Sequence, residues 1–139
     1  MAVMKVSIIG LGLIGGSLGL ALKMVSGSEI EITGFARREE VAAMAIERGA
    51  VDHTVTHIAK AVSEAQLVII AVPIKAIKGV FIEIASNLAA GTIVTDTGST
   101  KICIMQWAKE CLPSTVNFVG GHPMTGKETA GIEEAEANL

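Results

Sequence analysis

The sequence predicts a doubly wound α/β domain built on a parallel sheet. Apolar runs of strand length alternate with segments of helical periodicity along the 139-residue chain. Hydrophobic residues make up 50% of it, mostly small aliphatics, and only 3% are aromatic, as suits strands buried on both faces. Gly10, Gly12 and Gly15 form G-x-G-x-x-G between the first apolar run and the first helical pattern.

The elements follow in order. Residues 5–9 form the first strand. The helix after it carries Ile14, Leu18, Ala21, Leu22 and Val25 on one face and ends at Ser26-Gly27-Ser28. Residues 30–35 are the second strand, and 39–48 a helix stopped by Gly49 at a C-cap position. A short third strand is expected at 54–55 and a short helix at 58–65. The apolar run 67–72, closed by Pro73, reads as a central strand. Residues 76–88 place Ile77, Val80, Phe81, Ile84 and Leu88 on one helical face. A fifth strand at 92–96 leads to a helix at 101–111 with Ile104, Trp107, Ala108 and Cys111 inward, and then to a sixth strand at 116–119. A polar, glycine-bearing stretch, 121–131, precedes a short helical pattern at 132–139. The length is that of one domain, 1–139, with enough chain for a real core.

The glycine motif has a mechanical reading. Its first glycine allows a tight turn, its second lets a pyrophosphate approach the backbone, and its third lets helix pack close to strand. The free N–H groups of the helix start, at Leu13, Ile14 and Gly15, suit phosphate. A ribose-binding Asp or Glu would stand just after the second strand. Ala36-Arg37-Arg38 stands there instead, and two guanidinium groups suit a 2′-phosphate. The cofactor expectation is therefore NADP, with NAD possible. The bland reading of Arg37 and Arg38 is a solvated helix start paired with Glu39 or Glu40.

Two further segments lie where ligands of parallel sheets bind, off the carboxyl ends of strands. Asp96-Thr97-Gly98-Ser99-Thr100-Lys101 follows strand five, where Ser99 and Lys101 face the cofactor side or cap the next helix. Gly120-Gly121-His122-Pro123 follows strand six, and a histidine in a glycine-flanked loop suits acid–base work.

Composition excludes other classes. The net charge is −3 with no basic tract, which gives nucleic-acid binding no electrostatic support. The apolar N-terminal stretch carries motif-spaced glycines, which argues against a signal peptide or a membrane span. Cys103 and Cys111 fit reduced packing residues of a soluble cytoplasmic protein. His53 and His57 stand four apart, but Thr54, Val55 and Thr56 between them disfavour a helix, so they read as surface residues and no metal site is expected.

Four pieces resemble the nucleotide-binding domain of the prephenate/arogenate dehydrogenase family: GLGLIGGS at 10–17, AVP at 71–73, DTGSTK at 96–101 and GGHPMTGKETAG at 120–131. The resemblance runs over essentially the whole chain and implies a Rossmann-type NAD(P)-binding domain. It implies oxidative decarboxylation of prephenate to 4-hydroxyphenylpyruvate, or of arogenate to tyrosine, with a hydride passing to the nicotinamide. His122 is then similar to the catalytic histidine that takes the proton of the 4-hydroxyl. Ser99 resembles the serine that orients that histidine and the nicotinamide. Val72 and Pro73 fall on the cofactor side. Glu128 resembles an acidic residue near the substrate entrance, and Lys101 is a motif residue close to the substrate without an assigned role. The family also implies a following helical domain, absent from these residues, that supplies a homodimer interface and the cations for the substrate carboxylates. Two other readings stay open at this point: a β-hydroxyacid or imine-type reductase of the same fold, and a nucleotide-binding module without catalysis.

Overall fold

A computed structural model describes residues 2–139. Its sheet holds β1 (Met4–Ile9), β2 (Ile30–Phe35), β3 (His53–Thr54), β4 (Leu67–Ile70), β5 (Ile93–Asp96) and β6 (Asn117–Val119). All are parallel, in the order β3-β2-β1-β4-β5-β6. The helices are α1 (Leu13–Ser26), α2 (Glu39–Glu47), α3 (Ile58–Val62), α4 (Ile74–Ile84) and α5 (Ile102–Cys111). The chain winds outward from β1 to β3, then crosses back to β4 and winds the other way. The carboxyl ends of β1 and β4 therefore flank the crevice where such sheets take ligands.

Strand alternation splits the core into two layers. Val6 and Ile8 of β1 and Ile69 of β4 join the cluster under α1 and α2. Ile9, Val68 and Ile70 join the cluster under α3, α4 and α5, centred on Phe81 and Ile84. Phe81 meets Phe118 of β6 edge-to-face at 5.4 Å, which fastens the edge strand. This is the doubly wound sheet that the sequence predicts.

Element ends shift where local chemistry decides. The strand expected at 67–72 stops at Ile70, and Ala71, Val72 and Pro73 form the connection to α4. Pro73 occupies the N-cap of α4, where its missing N–H costs no helical bond. The short third strand is His53–Thr54, so His53 lies in a strand rather than a helix.

One expectation fails and another holds only in part. Residues 132–139 are not a helix: a single 3-10 turn, Ile132–Glu134, gives way to extended backbone at Ala135. The carbonyls that a helix would use internally are taken by Arg48, which donates to Ile132 O at 2.7 Å, to Ala135 O at 2.8 Å and to Glu133 O. The Ser17 hydroxyl accepts the N–H of Glu136 at 2.9 Å, and Ile132 and Ala135 are buried against α1. The buried side of α1 is only partly the predicted apolar face: Leu18 and Leu22 pack half-buried against the core. Gly15, Gly16, Ser17 and Gly19 are buried, while Val25 is 75% exposed. Small residues let the α1 backbone sit directly on its neighbours, and the larger side chains are displaced to the flanks. Ile14, Leu18 and Ala21 also line a shallow groove with Pro123, Ala137 and Leu139. No helix among the described residues is long and apolar enough to cross a membrane.

Candidate functional site

The glycine turn is built by close approach. Gly10 has φ +98° and donates its N–H to Phe35 O at 2.9 Å. A Cβ there would stand 2.4 Å from Ala71 O, and one at Gly15 would stand 1.9 Å from Gly10 O. Neither position admits a side chain. Gly12 is the N-cap of α1 with no side-chain cap, and nothing lies within 4 Å of where its Cβ would be. The first helical bond runs from Gly16 N to Gly12 O at 2.9 Å. The N–H groups of Leu13, Ile14 and Gly15 thus have no helical acceptor, and they sit at the positive end of the helix dipole. An open backbone surface with free donors fits a pyrophosphate.

A cavity of about 410 Å³ opens beside this turn, bordered by Gly10, Phe35, Arg37, Val72 and Pro73. A second hollow of about 340 Å³ runs along Gly12, Arg37, Arg38 and the tail residues Ile132 and Glu133. The predicted cofactor residues from three separate loops therefore meet at one edge of the sheet, and Arg37 borders both hollows. The two arginines are not equivalent. Arg38 donates from Nε to Glu40 Oε1 at 2.8 Å, so the helix-start pairing holds for Arg38, with Glu40 rather than Glu39 as its partner. Hydrogen bonding to its own backbone N–H, and then Arg38, holds the Glu40 carboxyl below the usual carboxylate range.

The loops after β5 and β6 lie along the same edge. Asp96 ends β5 with its side chain fully buried. Its carboxylate accepts the N–H of Gly98 at 2.8 Å and of Gly121 at 3.2 Å, and is paired with Lys101 Nζ. Lys101 thus has a partner inside its own loop. Ser99 is exposed and does not cap α5, whose N-cap is Lys101 without a side-chain bond. His122 and Glu128 are exposed. Lys127 donates to Glu134 O at 3.0 Å and pairs with Glu136. His53 is exposed on β3 at 3.5 Å from Glu31, and His57 is the N-cap of α3.

In the sequence Asp96 stands out only as part of the 96–101 segment, and Arg48 not at all. An acid closing an apolar strand was a usable signal for Asp96, since a buried carboxylate needs partners. Nothing local marked Arg48, whose acceptors lie more than eighty residues away.

Fold, glycine turn and crevice together define a dinucleotide-binding α/β domain. A family model described as "Prephenate dehydrogenase, nucleotide-binding domain" matches residues 18–139, and the chain belongs to that family. It is 42% identical over 137 residues to a prephenate dehydrogenase of Lactococcus lactis, covering 97% of this chain and 38% of that protein. Among solved structures it is similar to an arogenate dehydrogenase of Synechocystis, with 31% identity and a TM-score of 0.86 over 96% of this chain and 45% of the other. It is likewise similar to a prephenate dehydrogenase of A. aeolicus in complex with hydroxyphenyl propionate and NAD+, with 29% identity and a TM-score of 0.88 over 99% of this chain and 48% of the other. The chain thus spans less than half the length of these relatives.

Proposed function

We propose that this domain binds NADP in preference to NAD and carries the cofactor half of a dehydrogenase of tyrosine biosynthesis, acting on prephenate or arogenate. The observation behind the reading is that the glycine turn and the Val72–Pro73 wall border one cavity, while the loops that bear Ser99 and His122 leave the same carboxyl edge of the parallel sheet, tied to each other through Asp96. Leu13, Ile14 and Gly15 would hold the pyrophosphate through backbone N–H groups, and Arg37 would hold the 2′-phosphate. The bound nicotinamide supplies a hydride acceptor. The rest falls to protein groups. As the hydride leaves the ring carbon, the imidazole of His122 takes the proton of the hydroxyl on that carbon. The ring carboxylate then departs as carbon dioxide, its bonding pair enters the ring, and the aromatic product recovers a proton as a phenol. Ser99 orients the imidazole, and Glu128 stands toward the substrate entrance.

Lys127, the nearest cation to His122 in sequence, is already engaged by the Glu134 backbone carbonyl and the Glu136 carboxylate, and one cation is too few for two substrate carboxylates. We therefore read residues 1–139 as the dinucleotide-binding domain of an enzyme whose helical domain supplies those cations and a homodimer interface. The two free cysteines suit a reducing cytoplasm. The test is steady-state kinetics of the full-length enzyme with His122→Asn. Loss of a general base costs about 10²–10⁴-fold in kcat, with cofactor Kd unchanged. A kcat near wild type on both substrates refutes the role of His122.

A further inference from the structure

Asp96 is a carboxylate buried at the end of a central strand, and the proton transfer proposed above does not use it. Its bonds join two loops that are far apart in sequence. Oδ2 accepts the N–H of Gly98, the residue before Ser99, and Oδ1 accepts the N–H of Gly121, the residue before His122. The two glycines also lie close against Asp96 and its surroundings. A Cβ at Gly98 would stand 2.9 Å from Asp96 Oδ2 and 2.5 Å from Ile104 Cδ1. A Cβ at Gly121 would stand 2.5 Å from Asp96 O. A side chain at Gly98 would strike Ile104 and the Asp96 carboxylate, and one at Gly121 the Asp96 backbone carbonyl, so glycine lets both loops come within hydrogen-bonding reach of Asp96. Lys101 Nζ supplies the counter-charge, so the buried carboxylate is not left unpaired.

We infer that Asp96 is a positioning residue, a single buried carboxylate that sets the spacing between the Ser99 turn and the His122 loop. The inference rests on the reading of Ser99 and His122 given above. Each of these exposed side chains leaves its loop one residue from an N–H anchored to the same group. Their separation is thus fixed by one short rigid link instead of by two independent loops. Misplacement of a reacting group by about 1 Å can cost ~100-fold in rate.

The experiment uses the full-length enzyme with Asp96→Asn, His122→Asn and the double variant. Asp96→Asn keeps the side chain's shape but loses the charge that pairs with Lys101 and one of the two oxygens that accept the Gly98 and Gly121 N–H groups. Expected is a kcat lowered ~10- to 100-fold with cofactor Kd nearly unchanged. The double variant is expected to be no slower than His122→Asn alone, since Asp96 acts through the His122 loop. A purely structural Asp96 would multiply the two effects. Unchanged kcat in Asp96→Asn, or multiplied effects, overturns the inference. If His122→Asn loses turnover while Asp96→Asn keeps the wild-type kcat, only the positioning role falls. A wild-type enzyme without turnover removes the functional reading and the positioning role together. Should Asp96→Asn fail to fold, hydrogen exchange on the unmodified chain decides. The amides of Gly98 and Gly121 should both be protected although they lie in loops, and exchange of either at the rate of its loop neighbours overturns the inference.

Discussion

Arg37→Ala and Arg38→Ala separate two guanidinium groups that look interchangeable in sequence. Arg37 borders both hollows beside the glycine turn, whereas Arg38 is hydrogen-bonded to Glu40. A charge-assisted contact to a 2′-phosphate contributes roughly 1.5–3 kcal/mol. Arg37→Ala should therefore weaken NADP binding by ~10- to 100-fold and leave NAD almost unaffected. Arg38→Ala should cost less, because its side chain is 72% exposed and already shared with a carboxylate. Glu40→Gln should tighten NADP, since it frees Arg38 and removes a negative charge near the phosphate. Isothermal titration of the chain with both cofactors reads all three. Raising the salt should weaken NADP more than NAD, as exposed charges are screened beyond about 8 Å at physiological ionic strength. Tighter NAD than NADP binding by the wild type refutes the reasoning, as does an Arg37→Ala variant that loses both cofactors equally.

Two further outcomes concern stability. Burial pushes the Asp52 carboxyl up, but the hydrogen bonds from Lys23 and the Ile32 N–H, with the charges of Lys23 and His53, outweigh it and leave it below the usual range. A depressed folded value adds stability above the unfolded pKa of about 3.9 and loses it as pH falls further. Denaturant melts should thus find Asp52→Asn less stable than wild type at pH 7, with the two converging in acid; a constant gap down to pH 2 excludes this linkage. Ile132→Ala should destabilise the chain by ~2 kcal/mol, the low end for a buried aliphatic because the tail can partly collapse. It should also weaken cofactor binding, since Ile132 borders the hollow beside Gly12, and thermal melts with and without NADP test both effects.

Much of this domain is written locally. The strand–glycine–helix turn was legible because only glycine fits where Gly10 meets Ala71 and Gly15 meets Gly10, so the close approach leaves its mark in residue identity. The alternation of apolar runs and helical patterns was legible because a sheet buried on both faces demands continuous apolar strands. Element ends were less so, as at Ile70, where the connection through Pro73 ends the strand early.

Other features depend on residues that meet only after folding. The periodicity of α1 named Ile14, Leu18, Ala21, Leu22 and Val25, yet the glycines on the other side are buried, because backbone contact outcompetes side-chain burial when the neighbours are close enough. Residues 132–139 carry a helical pattern that Arg48 overrides by taking their carbonyls, a competition no local window contains. The sequence determined the sheet, the glycine turn and which loops lie at its carboxyl edge. The tertiary structure alone decided that Arg48 holds the tail and that Asp96 joins the Ser99 and His122 loops. Each is a partnership between a charged group and donors or acceptors brought together by the fold, and periodicity carries no record of such pairings.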